Sequence, residues 1–195
     1  NSMLGLSYLY NRNVDAAEIY FLNAVEIDST VNNDYYNLAC IYALQSNNKS
    51  SIEYLQKALF WGFIDYKHLI NDSDLDSIRK DKKYKDLIKR YFSNDKRERN
   101  QLLLEAEESV ENENYNVAAN KTYEFIDREK KSSKPRPILI LIAYKIIDDY
   151  TEYINWEDHD TKMDSIKALY TNLIKYYTLL NFKPKPEQYY ILGIY

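Results

Sequence analysis

Small and large apolar residues recur along the first third of the chain with the period of packed helices. In residues 34–43, Tyr35, Leu38, Ala39 and Tyr42 fall on one helical face. In residues 51–59, Ser51, Leu55 and Ala58 fall on one face of a second helix. The three- and four-residue spacings predict an antiparallel pair joined by the polar turn 45–49. The small residues let the two helices approach, and the large ones fill the gaps beside them. The same order stands 34 residues upstream. Leu4, Gly5 and Tyr8 match Leu38, Ala39 and Tyr42; Ala17, Phe21 and Ala24 match Ser51, Leu55 and Ala58. One such hairpin cannot bury its apolar face alone, so the repeat predicts stacked neighbours.

Asn13 is placed to cap a helix reaching Ile27, and Gly62 suits a helix stop. Phe63, Leu69, Leu75, Ile78, Tyr84 and Leu87 are expected to pack onto the second hairpin. A boundary near 93–95 divides the chain into 1–95 and 96–195. Beyond it, Leu102, Ala106 and Val110 form one stripe, and Tyr115, Ala119, Thr122 and Ile126 another, with Asn112, Glu113 and Asn114 as the turn. Residues 131–137, with Pro135 and Pro137, read as a linker. Ile138, Ile142, Ile146, Tyr150 and Ile154 are spaced by four, which predicts a packed helix rather than a strand. Asp160 is expected to cap a helix carrying Leu169, Leu173 and Tyr177. The closing run Tyr189, Tyr190, Ile191, Leu192, Gly193 repeats the order of the Tyr35 helix.

On Leu4, Gly5, Tyr8, Ala17, Phe21, Ala24 and their downstream counterparts, residues 1–62 resemble the tetratricopeptide repeat family. The chain departs from that family at Ser29 and Phe63, where an inter-repeat proline is usual. Residues 58–88, with Gly62-Phe63, Asp72-Ser73-Asp74-Leu75 and Arg79 ahead of Tyr84, resemble the segment that closes groups of such repeats in many bacterial proteins. The resemblance implies an all-α, right-handed superhelical solenoid of antiparallel helical hairpins. It also implies a non-enzymatic scaffold that takes a peptide or protein partner in a concave groove lined by the first helix of each hairpin. Carried onto this chain, that groove shows Leu6 and Leu9, then Asn33, Tyr36, Asn37, Cys40, Ala43 and Leu44, then Glu187, Tyr190, Ile191 and Ile194. The alternative is a helical regulatory or accessory segment of a larger, membrane-associated or multidomain protein. Some family members clamp acidic chaperone tails with lysines, asparagines and an arginine. Asn37 stands at the middle asparagine, but Ser2 and Leu6 occupy positions that need lysine and asparagine, which argues against that ligand.

Composition narrows the picture further. Three glycines and four prolines suit long helices with short turns; the 21 tyrosines suit the gaps between them, or reflect a compositional bias shared with the abundant Asn, Lys and Ile. A net charge of −4 disfavours nucleic acid or an anionic membrane as the main partner. The longest apolar run, 138–144, is too short for a membrane span. No signal peptide is visible, and the chain starts inside a repeat. Cys40 excludes an intrachain disulfide by being single, and without a nearby histidine in sequence it reads as a packing residue. His68 and His159 lie in no metal-ligand spacing. Asp72, Asp74 and Asp76 begin like a calcium loop, but Ser77 replaces its glycine and Lys83 its closing glutamate; the better reading is a helix cap. No phosphate-cradling loop or nucleophile elbow occurs, so no active site, metal or cofactor is expected. A basic stretch at 79–99 precedes an acidic one at 105–113, read as a solvated face. The half-built repeats at Leu4-Gly5 and Leu192-Gly193 are expected to expose apolar faces that a second copy covers.

Overall fold

The computed structural model describes residues 1–150, 153–154 and 159–180. Among the described residues every regular element is helical, as the periodicity predicts. Two compact units divide the chain, Asn1–Arg97 and Glu98–Tyr195.

The first unit contains α1 (Ser2–Tyr10), α2 (Val14–Ile27), α3 (Asn32–Leu44) and α4 (Asn48–Phe60). It continues through α5 (Tyr66–Asn71), a one-turn 3-10 helix at Ser73–Leu75, and α6 (Lys82–Tyr91). The two hairpins α1/α2 and α3/α4 share one joint. Arg12 and Ser46 each sit at positive φ, 59° and 61°, just past the first helix. The next residue, Asn13 or Asn47, donates its backbone N–H to a carbonyl five residues back, Tyr8 or Tyr42. The same asparagine then starts the second helix, its side chain accepting from the Ala16 or Ser50 N–H. One residue thus closes one helix and opens the next. Asn48 and Lys49 belong to α4, so the second turn is shorter than the polar run 45–49 suggests.

Gly62 ends α4 at φ 100°, and the Phe63 N–H reaches back to the Ala58 carbonyl. This is the glycine-terminated helix end read from the sequence. Asp72 caps the 3-10 helix by accepting from the Asp74 N–H at 3.0 Å.

Between the hairpins, Ala17, Phe21, Leu38 and Ile41 form a buried cluster with Leu6, Leu9 and Tyr42 against it. Within each hairpin, partner sizes are matched. A Cβ on Gly5 would stand 2.9 Å from the Phe21 ring. In the second hairpin the counterparts are Ala39 and Leu55, one methyl larger and one ring smaller, both fully buried. Ala24 and Ala58 are buried at 7% and 0% exposure. The approach of α3 and α4 is close enough for Ser51 Oγ to donate to the Ala39 carbonyl at 2.7 Å. Phe63, Leu69, Leu75, Ile78, Tyr84 and Leu87 join the α3/α4 core, as expected from their apolar character. Leu4 is 51% exposed whereas its counterpart Leu38 is fully buried, because α2 packs on α3.

The second unit holds most of α7 (Asn94–Glu111), then α8 (Tyr115–Lys131), α9 (Pro137–Tyr150) and α10 (His159–Leu179). The backbone of the α7/α8 joint repeats the earlier one, with Glu113 at φ 58° and the Asn114 N–H returning to the Ser109 carbonyl, but the Asn114 side chain makes no cap bond. Helix α8 packs on α9, and α9 on α10. Asp160 lies inside α10 rather than ahead of it, so it is not the cap that its place in the sequence suggests. Residues 131–137 are no slack linker. Arg136 donates its backbone N–H and side-chain Nε to Glu129 Oε1, at 2.7 and 2.9 Å, and the rest of its guanidinium reaches Glu129 Oε2 and Asn100. Arg99 Nε adds a 2.7 Å bond to Glu129 Oε2. Glu129 is fully buried, and the two guanidinium groups outweigh burial and hold its carboxyl below the usual range.

Candidate interaction groove

The first helices of the two hairpins, α1 and α3, present one face of the repeat stack. The segment after α4 returns across that face, and the 3-10 helix packs on α3. What remains open is a groove of about 370 Å³. Leu6, Leu9, Tyr10 and Arg12 line it from the first hairpin, Tyr36, Asn37 and Cys40 from α3, and His68, Asp72, Ser73 and Asp74 from the returning segment.

Asp72 organises the far wall. Its Oδ2 accepts from the Tyr36 hydroxyl at 2.7 Å and from the Cys40 thiol at 3.4 Å, and His68 Nε2 lies 3.7 Å away. Its backbone carbonyl accepts from Arg79 at 2.5 Å. The Tyr36 ring stacks on Phe63, centroids 4.1 Å apart and planes within 3°. Tyr36 and Cys40 are therefore buried, at 4% and 2% exposure, in binding the returning segment to α3. Burial pushes the Cys40 thiol well up, and the adjacent Asp72 carboxylate pushes it further. Buried and donating to Asp72, the thiol serves here as a packing and donor group. The Tyr36 hydroxyl is also raised, by burial first, then by the neighbouring Cys40 and the bond to Asp72.

The near wall carries the opposite charge. Arg12, in the α1/α2 joint, pairs across the groove with Asp74 at 3.6 Å and is itself largely exposed. The Asp74 carboxyl is raised, chiefly by burial and then by the Asp72 charge, with Arg12 opposing. The groove thus has an aliphatic strip from Leu6 and Leu9, an amide from Asn37, and a charged end where carboxylates outnumber guanidinium groups.

Five of the residues expected to face a partner, Leu6, Leu9, Tyr36, Asn37 and Cys40, come together here. Asn33 and Leu44 are exposed on α3 outside this lining, and Ala43 is buried, its carbonyl accepting from Ser77 Oγ. Glu187, Tyr190, Ile191 and Ile194 lie outside the described residues. Tyr10, Arg12, His68, Asp72 and Asp74 were not expected from the sequence. The aspartates read in sequence as the start of a calcium-like loop and, better, as a helix cap, and a cap's second oxygen does not reveal which distant helix it will meet.

Among the described residues no group of His, Cys, Asp and Glu is arranged to hold a metal ion, and no helix is long and apolar enough to cross a membrane. The family model for the tetratricopeptide repeat matches residues 1–30 and 35–59. A chloroplastic protein of Arabidopsis thaliana is 34% identical over 56 residues, 29% of this chain and 17% of that protein. No solved structure matches the chain. The matched residues coincide with the hairpins α1/α2 and α3/α4, whose joints, caps and small-residue contacts repeat in register: the chain carries two tetratricopeptide repeats, at residues 1–30 and 35–59.

Proposed function

We propose that the protein is a non-enzymatic interaction module that takes a peptide or protein partner along the α1/α3 groove. One observation carries this reading: the first helices of both repeats present Leu6, Leu9 and Asn37 to one open groove, which the returning segment walls without filling. Tetratricopeptide repeats generally mediate protein–protein interaction, which supports a macromolecular partner. Tyr36 and Cys40 shape the groove from beneath, while Leu9, Tyr10 and Asn37 make the contacts. Asp72 and Asp74 oppose an acidic tail in this groove, in line with the missing lysines of the carboxylate clamp. The second reading, a helical accessory portion of a larger protein, is favoured by the Arabidopsis relative, in which the matching region occupies 17% of the length.

Selection of a displayed peptide library on the whole chain, followed by titration calorimetry of the recovered peptides, tests the groove. Asn37→Ala and Tyr10→Ala are expected to weaken binding by about ten-fold or more while leaving the melting curve in place. Tyr36→Ala is unsuitable, because it also removes the Asp72 bond and the Phe63 stack. Recovered peptides that bind both variants like the unaltered chain would place the partner elsewhere.

A further inference from the structure

A second surface lies away from the α1/α3 groove, where α5 meets α6. Ile70 of α5 and Ile88 of α6 flank a dent of about 310 Å³, whose remaining walls are Tyr84, Arg79, Lys85 and Lys89. Its floor is apolar: Tyr84 is buried, Ile88 half-buried and Ile70 38% exposed. Its rim is cationic. Lys85 and Lys89 are exposed and stand one helical turn apart on α6. Arg79 is already committed, to Asp76 at 2.7 Å and to the Asp72 carbonyl. Among the described residues neither Lys85 nor Lys89 has an ion-pair partner, and the same holds for Lys80, Lys82 and Lys83 beside them. Asp81 and Asp86 stand in sequence among these lysines; Asp81 caps α6 by accepting from the Lys83 N–H, and neither acid lines the dent. Two exposed lysines at the rim of an apolar hollow that no acid lines set this spot apart in a chain whose net charge is −4.

We propose that this dent docks an acidic amphipathic helix of a protein partner, one that carries two carboxylates a turn apart beside a large aliphatic side chain. The spacing argument is direct. Ammonium groups at i and i+4 on α6 match carboxylates at i and i+4 on a second helix, since both pairs lie about 6 Å apart. The aliphatic side chain enters between Ile70 and Ile88, where it displaces water from apolar surface. Exposed charge pairs alone are worth little, so the rim sets orientation and encounter rate while the apolar anchor holds the complex. The geometry disfavours an anionic lipid surface. A membrane-bound amphipathic helix inserts its apolar face, whereas the apolar face of α6, Tyr84 and Leu87, is buried in the protein's own core.

The test uses the whole chain and a fluorescein-labelled helical peptide with Glu-Ala-Ala-Leu-Glu at the centre of an alanine–glutamine host. Fluorescence anisotropy is expected to show saturable binding that weakens with added salt. The variant Lys85→Glu/Lys89→Glu should lose about ten-fold or more in affinity, and Ile70→Asp a comparable amount. Lys145→Glu, an exposed lysine of α9, should leave it unchanged. Peptides with Gln-Ala-Ala-Leu-Gln or Glu-Ala-Ala-Ala-Glu at the centre should bind more weakly than the first. Equal binding of all three peptides, or full binding by the double variant, would overturn the proposal. So would binding to phosphatidylserine vesicles with none to the peptide, since that outcome assigns the lysines to a membrane.

Discussion

The hairpins α3/α4 and α7/α8 share a joint but are held together by different means. In both, a residue at positive φ is followed by an asparagine, Ser46-Asn47 in one and Glu113-Asn114 in the other. Ala39 and Ser51 flank the first joint as Ala106 and Ala118 flank the second, and all four are buried. Farther along the second helix the likeness ends. Where α4 has Leu55 then Ala58, α8 has Thr122 then Phe125, so large and small have changed places. The α3/α4 pair closes on small residues, with Ser51 Oγ touching the opposing backbone. The α7/α8 pair is bridged by long side chains, Arg99 to Glu129 and Lys121 to Glu105. A shared turn therefore fixes the direction of the returning helix, and each pair then adds its own polar contact to the buried apolar residues: a hydroxyl–carbonyl bond in α3/α4 and ion pairs in α7/α8.

The largest expected effect comes from the charged contact. Glu129 is fully buried and accepts four hydrogen bonds from Arg99 and Arg136. Glu129→Gln leaves those guanidinium groups without a counter-charge, and breaking a buried pair of this kind costs about 3–5 kcal/mol. Thermal or urea denaturation should show the loss in the transition of the second unit, because the first unit contains none of these residues. The pH dependence has a definite sign. The folded Glu129 carboxyl is held below its ordinary value of 4.5. Its stabilisation is therefore full above that value and is lost as pH falls below it, through the lower folded pKa. The Glu129→Gln variant should lack that component of acid sensitivity. Parallel stability–pH curves for the variant and the unaltered chain over that window would show that the network contributes nothing.

The exchanged sizes give the next pair of tests. Phe125→Ala should open a cavity at a site of 0% exposure and cost about 3–5 kcal/mol. Ala58→Leu should overpack the α3/α4 contact and cost about 1–3 kcal/mol. Both follow from Phe125 and Ala58 standing at the same distance from their joints while facing different neighbours. An unchanged melting midpoint for Ala58→Leu would mean that α3 and α4 are not held apart by the size of residue 58.

The contrast also marks where the sequence was legible. Gly5, Ala17, Ala24, Ala39, Ser51 and Ala58 carry a local signal, because close packing demands small residues at fixed intervals on each helix. The hairpins, their core and the sealing residues Leu69, Leu75 and Leu87 followed from that pattern and from apolar character. Arg136 gave no such signal. It stands between two prolines and looks like linker, and its role depends on meeting Glu129 and Asn100 in three dimensions. Half of the groove was legible for the same reason. Leu6, Leu9, Tyr36, Asn37 and Cys40 follow from the repeat register, whereas His68, Asp72 and Asp74 reach the groove through the path of the segment after Gly62.

The smallest effect tests the shared joint itself. Arg12, Ser46 and Glu113 adopt a left-handed conformation that costs a residue with a Cβ about 1–2 kcal/mol, and that glycine adopts freely. Ser46→Gly should therefore stabilise the first unit. Part of the gain is returned, because glycine gives the unfolded chain more freedom, about 0.4–1 kcal/mol in comparable substitutions. The net expectation is a gain of less than about 1 kcal/mol, read as a rise of a few degrees in melting midpoint. Ser46→Val should move the midpoint the other way, since a β-branched residue resists positive φ most strongly. Glu113→Gly should raise the second unit's midpoint by a similar amount, because its joint has the same φ and the same return bond to the first helix. A rise at Ser46 without one at Glu113 would show that the two joints, alike in backbone, carry different strain, and that the likeness between the two hairpins stops at geometry.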